Sequence, residues 1–80
     1  MTMILYNPTN GRINGVTQDA EPFVKAWLAD ADQKIRDETA YLTYDETLDA
    51  VQAQDVFANA TRGKYYVAGG VLYLDSQWTP

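Results

Sequence analysis

The clearest pattern of apolar and polar positions runs from Lys64 to Asp75, where Gly69-Gly70 separates two runs rich in Tyr, Val and Leu. This pattern is typical of a β-hairpin with a two-residue turn, in which glycine adopts the positive φ that the turn requires. Directly opposed residues share a sheet face, so the register predicts one core face and one partly exposed face. The predicted core face consists of Tyr65, Val67, Leu72 and Leu74. The predicted exposed face consists of Tyr66, Ala68, Val71 and Tyr73, with Lys64 and Asp75 as an opposite-charge pair.

The N-terminal end of the chain predicts a second hairpin. Two apolar runs flank an Asn-Pro-Thr-Asn-Gly segment, in which proline presets φ and the Asn-Gly pair supplies a left-handed exit. A four-residue loop would place Tyr6 opposite Ile13 and Met3 opposite Val16. Gly15 in the returning strand indicates a bulge or a close approach of another backbone segment.

Residues 19–61, between the hairpins, are predicted to be mostly helical. Asp19 is a plausible N-cap and Pro22 suits the first helical turn. One continuous apolar stripe then predicts an amphipathic helix of about four turns. The stripe consists of Val24, Leu28, Ala31 and Ile35. Phe23 and Trp27 widen it, and we interpret them as core residues, with ligand stacking as the alternative.

A further strand is predicted at residues 40–44, where Tyr, Leu and Thr favour extended structure. Asp45 could cap a second helix that runs to about Ala60. Its weaker apolar stripe consists of Leu48, Val51, Val56 and Phe57, with Gln52 or Asp55 beside Val51. Asn59, Thr61 and Gly63 are predicted to end this helix.

The sequence therefore predicts an α+β fold in one small domain over residues 1–80. Its parts are an N-terminal hairpin (1–17), a mostly helical middle with one strand (19–61), a C-terminal hairpin (64–75) and a tail (76–80). A chain of this size buries only roughly 60–65% of the surface that its unfolded form exposes. Burial of further surface between chains would therefore stabilise it.

Composition narrows the possible functions. The chain has no cysteine and no histidine, which excludes disulfides, thiolate zinc sites, cysteine nucleophiles and histidine acid–base catalysis. Carboxylates such as Asp30 and Asp32 point in different directions on a helix, and those near Asp45 suit a helix N-terminus. We therefore expect no catalytic, metal-binding or cofactor-binding residues, no small-molecule substrate and no enzyme activity.

Charge and hydropathy bear on partners and location. The net charge of −5 disfavours binding to nucleic-acid phosphates. No apolar run reaches the length of a membrane span, and the N-terminus lacks a secretion signal, so we expect a soluble protein that is neither exported nor membrane-bound.

Aromatic side chains near the C-terminus are the candidate protein interface: Tyr66, Tyr73 and Trp78. Trp78 either packs back on the domain or docks on a neighbouring chain, since tryptophan is a common interface anchor. The basic residues Arg62 and Lys64 are expected to complement a helix C-terminus, with a partner contact as the alternative.

The two ends of the chain resemble a known class of proteins. The opening reads Ile4-Leu5-Tyr6-Asn7-Pro8-Thr9-Asn10-Gly11-Arg12-Ile13-Asn14-Gly15-Val16, and the closing hairpin reads Lys64-Tyr65-Tyr66-Val67-Ala68-Gly69-Gly70-Val71-Leu72. Both resemble the ends of small bacteriophage virion proteins, which are associated with tails, tail fibres or other particle attachments. The middle, Asp19 to Thr61, is longer and more helical than in the simpler, strand-rich members.

This resemblance implies a structural or accessory virion protein, assembled in the host cytoplasm, whose partners are other virion proteins or copies of itself. It implies no catalytic residues. The alternative is a small acidic phage-encoded inhibitor, whose negative surface would oppose a basic site on a host defence protein.

Overall fold

The computed structural model describes residues 2–44 and 50–79, which form five strands, three α-helices and one 3-10 turn. The elements are β1 (Thr2–Tyr6), β2 (Ile13–Thr17), α1 (Glu21–Asp30), α2 (Gln33–Glu38), β3 (Ala40–Tyr44), α3 (Ala50–Asn59), the 3-10 turn (Ala60–Arg62), β4 (Tyr65–Ala68) and β5 (Val71–Leu74). One sheet has the strand order β2-β1-β3, and the second consists of β4 and β5. The predicted α+β fold is confirmed.

The N-terminal hairpin forms with the predicted Tyr6–Ile13 pairing but contains an extra residue. Leu5 pairs with Gly15, so Asn14 is inserted as a β-bulge and the register shifts beyond it. Met3 consequently faces Thr17, and the predicted Met3–Val16 pairing is wrong. The bulge predicted from Gly15 in the returning strand is confirmed.

The central strand β1 separates two layers. Side chains alternate between the faces of a strand, so Ile4 points to one side and Leu5 to the other. Ile4 pairs with Leu42 of β3, and Leu5 pairs with Tyr41. Helix α1 covers the Leu5 side, where the Tyr41 hydroxyl donates a hydrogen bond to Glu21 at 3.2 Å.

The core lies on the Ile4 side, between the three-stranded sheet, α3 and the C-terminal hairpin. Its buried members are Ile4, Ile13, Val56, Ala60, Tyr65 and Val67. They come from both ends of the chain, so the two hairpins and α3 depend on one another for burial.

The predicted four-turn helix is two helices. The chain leaves α1 at Ala31, whose backbone is extended, and starts again as α2 after Asp32. Aspartate favours caps over helix interiors, and Asp30 and Asp32 bracket the break. Ile35 is therefore exposed rather than part of a continuous buried stripe.

The start of α1 also differs from the prediction. The N-cap position is held by Ala20, with Pro22 in the first turn as predicted. The Asp19 backbone N–H bonds to the Thr17 side-chain oxygen at 3.2 Å, so Asp19 belongs to the turn that precedes the helix. The predicted Asp19 N-cap is therefore wrong.

The third helix agrees with the prediction where it is described. Val56 is fully buried, whereas Phe57 is exposed, so the predicted stripe does not extend to Phe57. Gly63, with φ of 93°, ends the 3-10 turn that follows α3. The predicted cap Asp45 and stripe residue Leu48 lie outside the described residues.

The C-terminal hairpin has the predicted register, with Tyr65 opposite Leu74 and Tyr66 opposite Tyr73. Gly69 and Gly70 have φ values of 58° and 75°, as a two-residue turn of this kind requires. The core face is confirmed for Tyr65, which is buried, but Leu74 is exposed. Leu74 lies on the outer strand β5, opposite Tyr65, and the core predicted for this face therefore does not extend to it.

Gly11 joins the two hairpins. Its carbonyl oxygen accepts a hydrogen bond from the Val67 N–H at 2.9 Å, beside a bridge between Arg12 and Tyr66. Gly11 is buried with φ of 76°, and a Cβ there would lie far inside van der Waals contact of the Val67 carbonyl oxygen. Only glycine therefore allows this approach without strain.

Candidate interaction surface

A stacked pair of tyrosines dominates the exposed side of the C-terminal hairpin. The rings of Tyr66 and Tyr73 have centroids 5.4 Å apart and an interplanar angle of 21°. Tyr66 is 41% exposed and Tyr73 45%, and the neighbouring Ala68 and Val71 are also exposed. We call these four residues the outer hairpin face. Stacking limits the rotamers of both rings, so a partner would meet a preorganised surface.

Strand β5 adds to this face a backbone edge that no described strand pairs with. Its partner β4 is held on the other side by the bridge to Arg12, but within residues 2–44 and 50–79 no strand pairs with the outer edge of β5. The strand reads Val-Leu-Tyr-Leu, without the charge or proline that often protects an edge. Among the described residues, the exposed side chains of Val71 and Tyr73 and the outer backbone groups of the strand are therefore open to a partner, whereas Leu72 packs against the core.

Trp78 packs back on the domain, the first of its two predicted alternatives. Its indole N–H donates to the Arg62 carbonyl oxygen at 3.3 Å, and its ring lies near the Gly63 backbone. The Lys64 ammonium is 5.2 Å from the ring centroid, within the range of a cation–π interaction. These contacts hold Trp78 against the domain, and the outer hairpin face is defined without it.

Lys64 belongs to a polar cluster with α3. Its ammonium lies 2.7 Å from an Asp55 carboxylate oxygen, which corrects the predicted side-chain pairing with Asp75. Asp75 instead donates its backbone N–H to the Lys64 carbonyl at 2.8 Å. The hydrogen bond from Lys64, followed by that from the Tyr65 hydroxyl, lowers the pKa of Asp55 below its usual value. Asn59 also donates to this carboxylate, at 2.9 Å. We interpret the cluster as a structural link between α3 and the hairpin.

A second exposed aromatic group lies on α1. Phe23 is 70% exposed and Trp27 is 52% exposed, so their interpretation as core residues is wrong. Val24 is the buried residue of this helix and sets which side meets the sheet. Phe23 and Trp27, four residues apart, share a neighbouring side of the helix that the sheet leaves exposed. Both aromatics line a cavity of about 250 Å³ together with Leu5 and Asp19.

The described part of the chain shows neither a metal site nor a membrane span. Its acidic side chains include no group of three or more placed to hold a metal ion, and none of its helices is long and apolar enough to cross a membrane. No family model, curated protein or solved structure matches the chain.

Proposed function

We propose that this chain is a structural or accessory protein of a bacteriophage virion that acts by protein–protein assembly through the outer hairpin face. The observation that carries the proposal is the stacked, half-exposed pair Tyr66–Tyr73 beside the outer edge of β5, which no described strand covers. The resemblance of both chain ends to small virion proteins supports the particle assignment.

The physical role of the tyrosines is to provide contact area at low entropic cost. Aromatic residues are enriched in interface cores, and truncation of a central aromatic often removes more than about 2 kcal/mol of binding energy. Tyr66 and Tyr73 already restrict each other, so less side-chain entropy remains to be lost when a partner covers them. The hydroxyl groups remain able to bond a partner or water at the rim.

The edge of β5 supplies directional contacts. A strand from another virion protein or another copy could add to Val71–Leu74 through main-chain hydrogen bonds. Such bonds fix the orientation of the added strand, while the tyrosine face supplies apolar contact. In this proposal the chain acts by surface complementarity and requires no catalytic group.

The proposal is tested with gradient-purified particles of the phage that encodes the chain. Quantitative mass spectrometry should find the chain at a fixed ratio to the major capsid protein. The double variant Tyr66→Ser/Tyr73→Ser should fall at least about tenfold in copies per particle, with unchanged circular dichroism. Phe57→Ser, which removes an exposed aromatic from α3, is the matched control and should be incorporated normally.

Two results would contradict the proposal. The first is absence of the wild-type chain from particles, and its recovery on a host defence protein would then favour the inhibitor alternative. The second is equal incorporation of the double variant and the Phe57→Ser control, which would place the contact elsewhere on the chain.

A further inference from the structure

The cavity beside α1 has the chemistry of a site for one basic side chain. Apolar Leu5 and Val24 lie at its base, and the exposed rings of Phe23 and Trp27 form its wall. Asp19 is the charged residue of its lining. At about 250 Å³ it is smaller than the roughly 300–1,000 Å³ of most small-molecule sites, which suits a single long side chain.

The Asp19 carboxylate is available to a ligand. Its backbone N–H is bonded to Thr17, but no described residue forms an ion pair or hydrogen bond with its side chain. Lys25, the basic residue of α1, pairs with Glu21 at 3.3 Å and lines a separate cavity with Leu28. The charge in the aromatic cavity is therefore negative and uncompensated within the described residues.

We propose that this cavity binds an arginine side chain presented by an extended segment of a partner protein. The aliphatic part of arginine would cover Leu5 and Val24, as long cationic side chains commonly do on apolar surfaces. Its planar guanidinium would stack on Trp27 and donate hydrogen bonds to Asp19. This surface is on the opposite side of the three-stranded sheet from the core and the hairpin, and the inference does not depend on the virion assignment.

Charge complementarity favours arginine over an apolar occupant. A leucine side chain would fit the apolar base, but it would remove water from the Asp19 carboxylate without replacing its hydrogen bonds. Arginine compensates that desolvation with a charge-assisted, two-point contact. The net charge of −5 adds a long-range attraction for a basic segment.

The test uses four acetylated, amidated pentapeptides of serine and glycine with arginine, citrulline, lysine or leucine at the centre. Trp27 fluorescence is followed in the Trp78→Phe background, so that one indole reports. A single side chain should bind weakly, in the millimolar range. The arginine peptide should bind at least about tenfold more tightly than its neutral citrulline counterpart, with lysine intermediate and leucine no better than citrulline.

Two variants locate the contact. Asp19→Asn should abolish the preference for arginine over citrulline without changing thermal stability. Asp30→Asn, which alters an exposed aspartate at the C-terminal end of α1, outside the cavity, should keep the preference.

Equal affinity for arginine and citrulline, tighter binding of the leucine peptide, or an unchanged preference in Asp19→Asn would each overturn the proposal. The proposal would also be overturned if none of the peptides bound and Asp19→Asn reduced self-association, since the occupant would then be a second copy of the chain.

Discussion

The contact between Gly11 and Val67 predicts an unequal response to the same substitution at two glycines. Gly11 and Gly70 have nearly equal φ values, 76° and 75°. Alanine in this left-handed region costs about 1–2 kcal/mol at either position. Around Gly70 no atom lies within 4 Å of a built Cβ, whereas at Gly11 the Cβ would collide with the backbone carbonyl of Val67.

The collision sets the magnitude of the difference. Backbone shifts forced by an added methyl group typically cost about 1–3 kcal/mol. The shift would also stretch the 2.9 Å bond from Val67 to Gly11, whose net contribution is about 0.5–1.5 kcal/mol. We therefore expect Gly11→Ala to lose about 2.5–6.5 kcal/mol in the free energy of unfolding, and Gly70→Ala about 1–2 kcal/mol.

Urea unfolding followed by circular dichroism measures both values. A domain of this size has a total stability of roughly 4–12 kcal/mol, so the larger loss is a substantial share of it. Replacing glycine by alanine also lowers the conformational entropy of the unfolded chain, which offsets each loss by about 0.4–1 kcal/mol. This offset is the same for both variants and cancels when they are compared. Equal losses for Gly11→Ala and Gly70→Ala would refute the conclusion that Gly11 holds the two hairpins together.

Three further predictions follow from the core, the tail and the polar cluster. Ile4→Ala should cost about 2–5 kcal/mol in urea unfolding because Ile4 is fully buried, whereas Ile35→Ala should cost less than about 1 kcal/mol; similar losses would contradict the core assignment. Trp78→Phe should lower the free energy of unfolding by about 0.5–1.5 kcal/mol through loss of the hydrogen bond to Arg62, and incorporation into particles should not change. Unchanged stability with reduced incorporation would instead make Trp78 an interface residue. The pKa of Asp55 is lowered in the folded chain, so its contribution is present above the ordinary aspartate value of 3.8 and is lost as pH falls through the folded pKa. Below pH 3.8 wild-type stability should thus fall more steeply than that of Asp55→Asn, and parallel pH profiles would contradict the role of this carboxylate.

The features predicted correctly depend on local chemistry. The turn at Gly69-Gly70 and the alternating residues around it specify a register by themselves, because glycine accepts positive φ and side chains alternate. The N-terminal turn is similar, and Gly15 gave a local signal for the bulge. The predicted pairing of Met3 with Val16 is wrong because the residue inserted at the bulge shifts every pair beyond it, so that Met3 pairs with Thr17.

The features predicted wrongly have one local cause, the helix break, and otherwise depend on tertiary contacts. An apolar stripe cannot distinguish one four-turn helix from two shorter helices when Asp30 and Asp32 interrupt it. The exposure of Phe23 and Trp27 follows from the orientation of α1 on the sheet, which the sequence of the helix alone does not determine. The preference of Lys64 for Asp55 over Asp75 likewise requires α3 to be in place. The only local signal for the α1 cavity was the spacing of two large aromatics at i and i+4, which share a helix side.

Photo-cross-linking within intact particles tests assembly through the outer hairpin face most directly. Tyr73→p-benzoylphenylalanine places the reactive group on the exposed hairpin face, and Phe57→p-benzoylphenylalanine provides a matched probe on α3. We expect position 73 to cross-link to another virion protein or another copy of the chain in high yield, and position 57 in much lower yield. Cross-links from position 57 but not from position 73 would show that the chain assembles through a different surface.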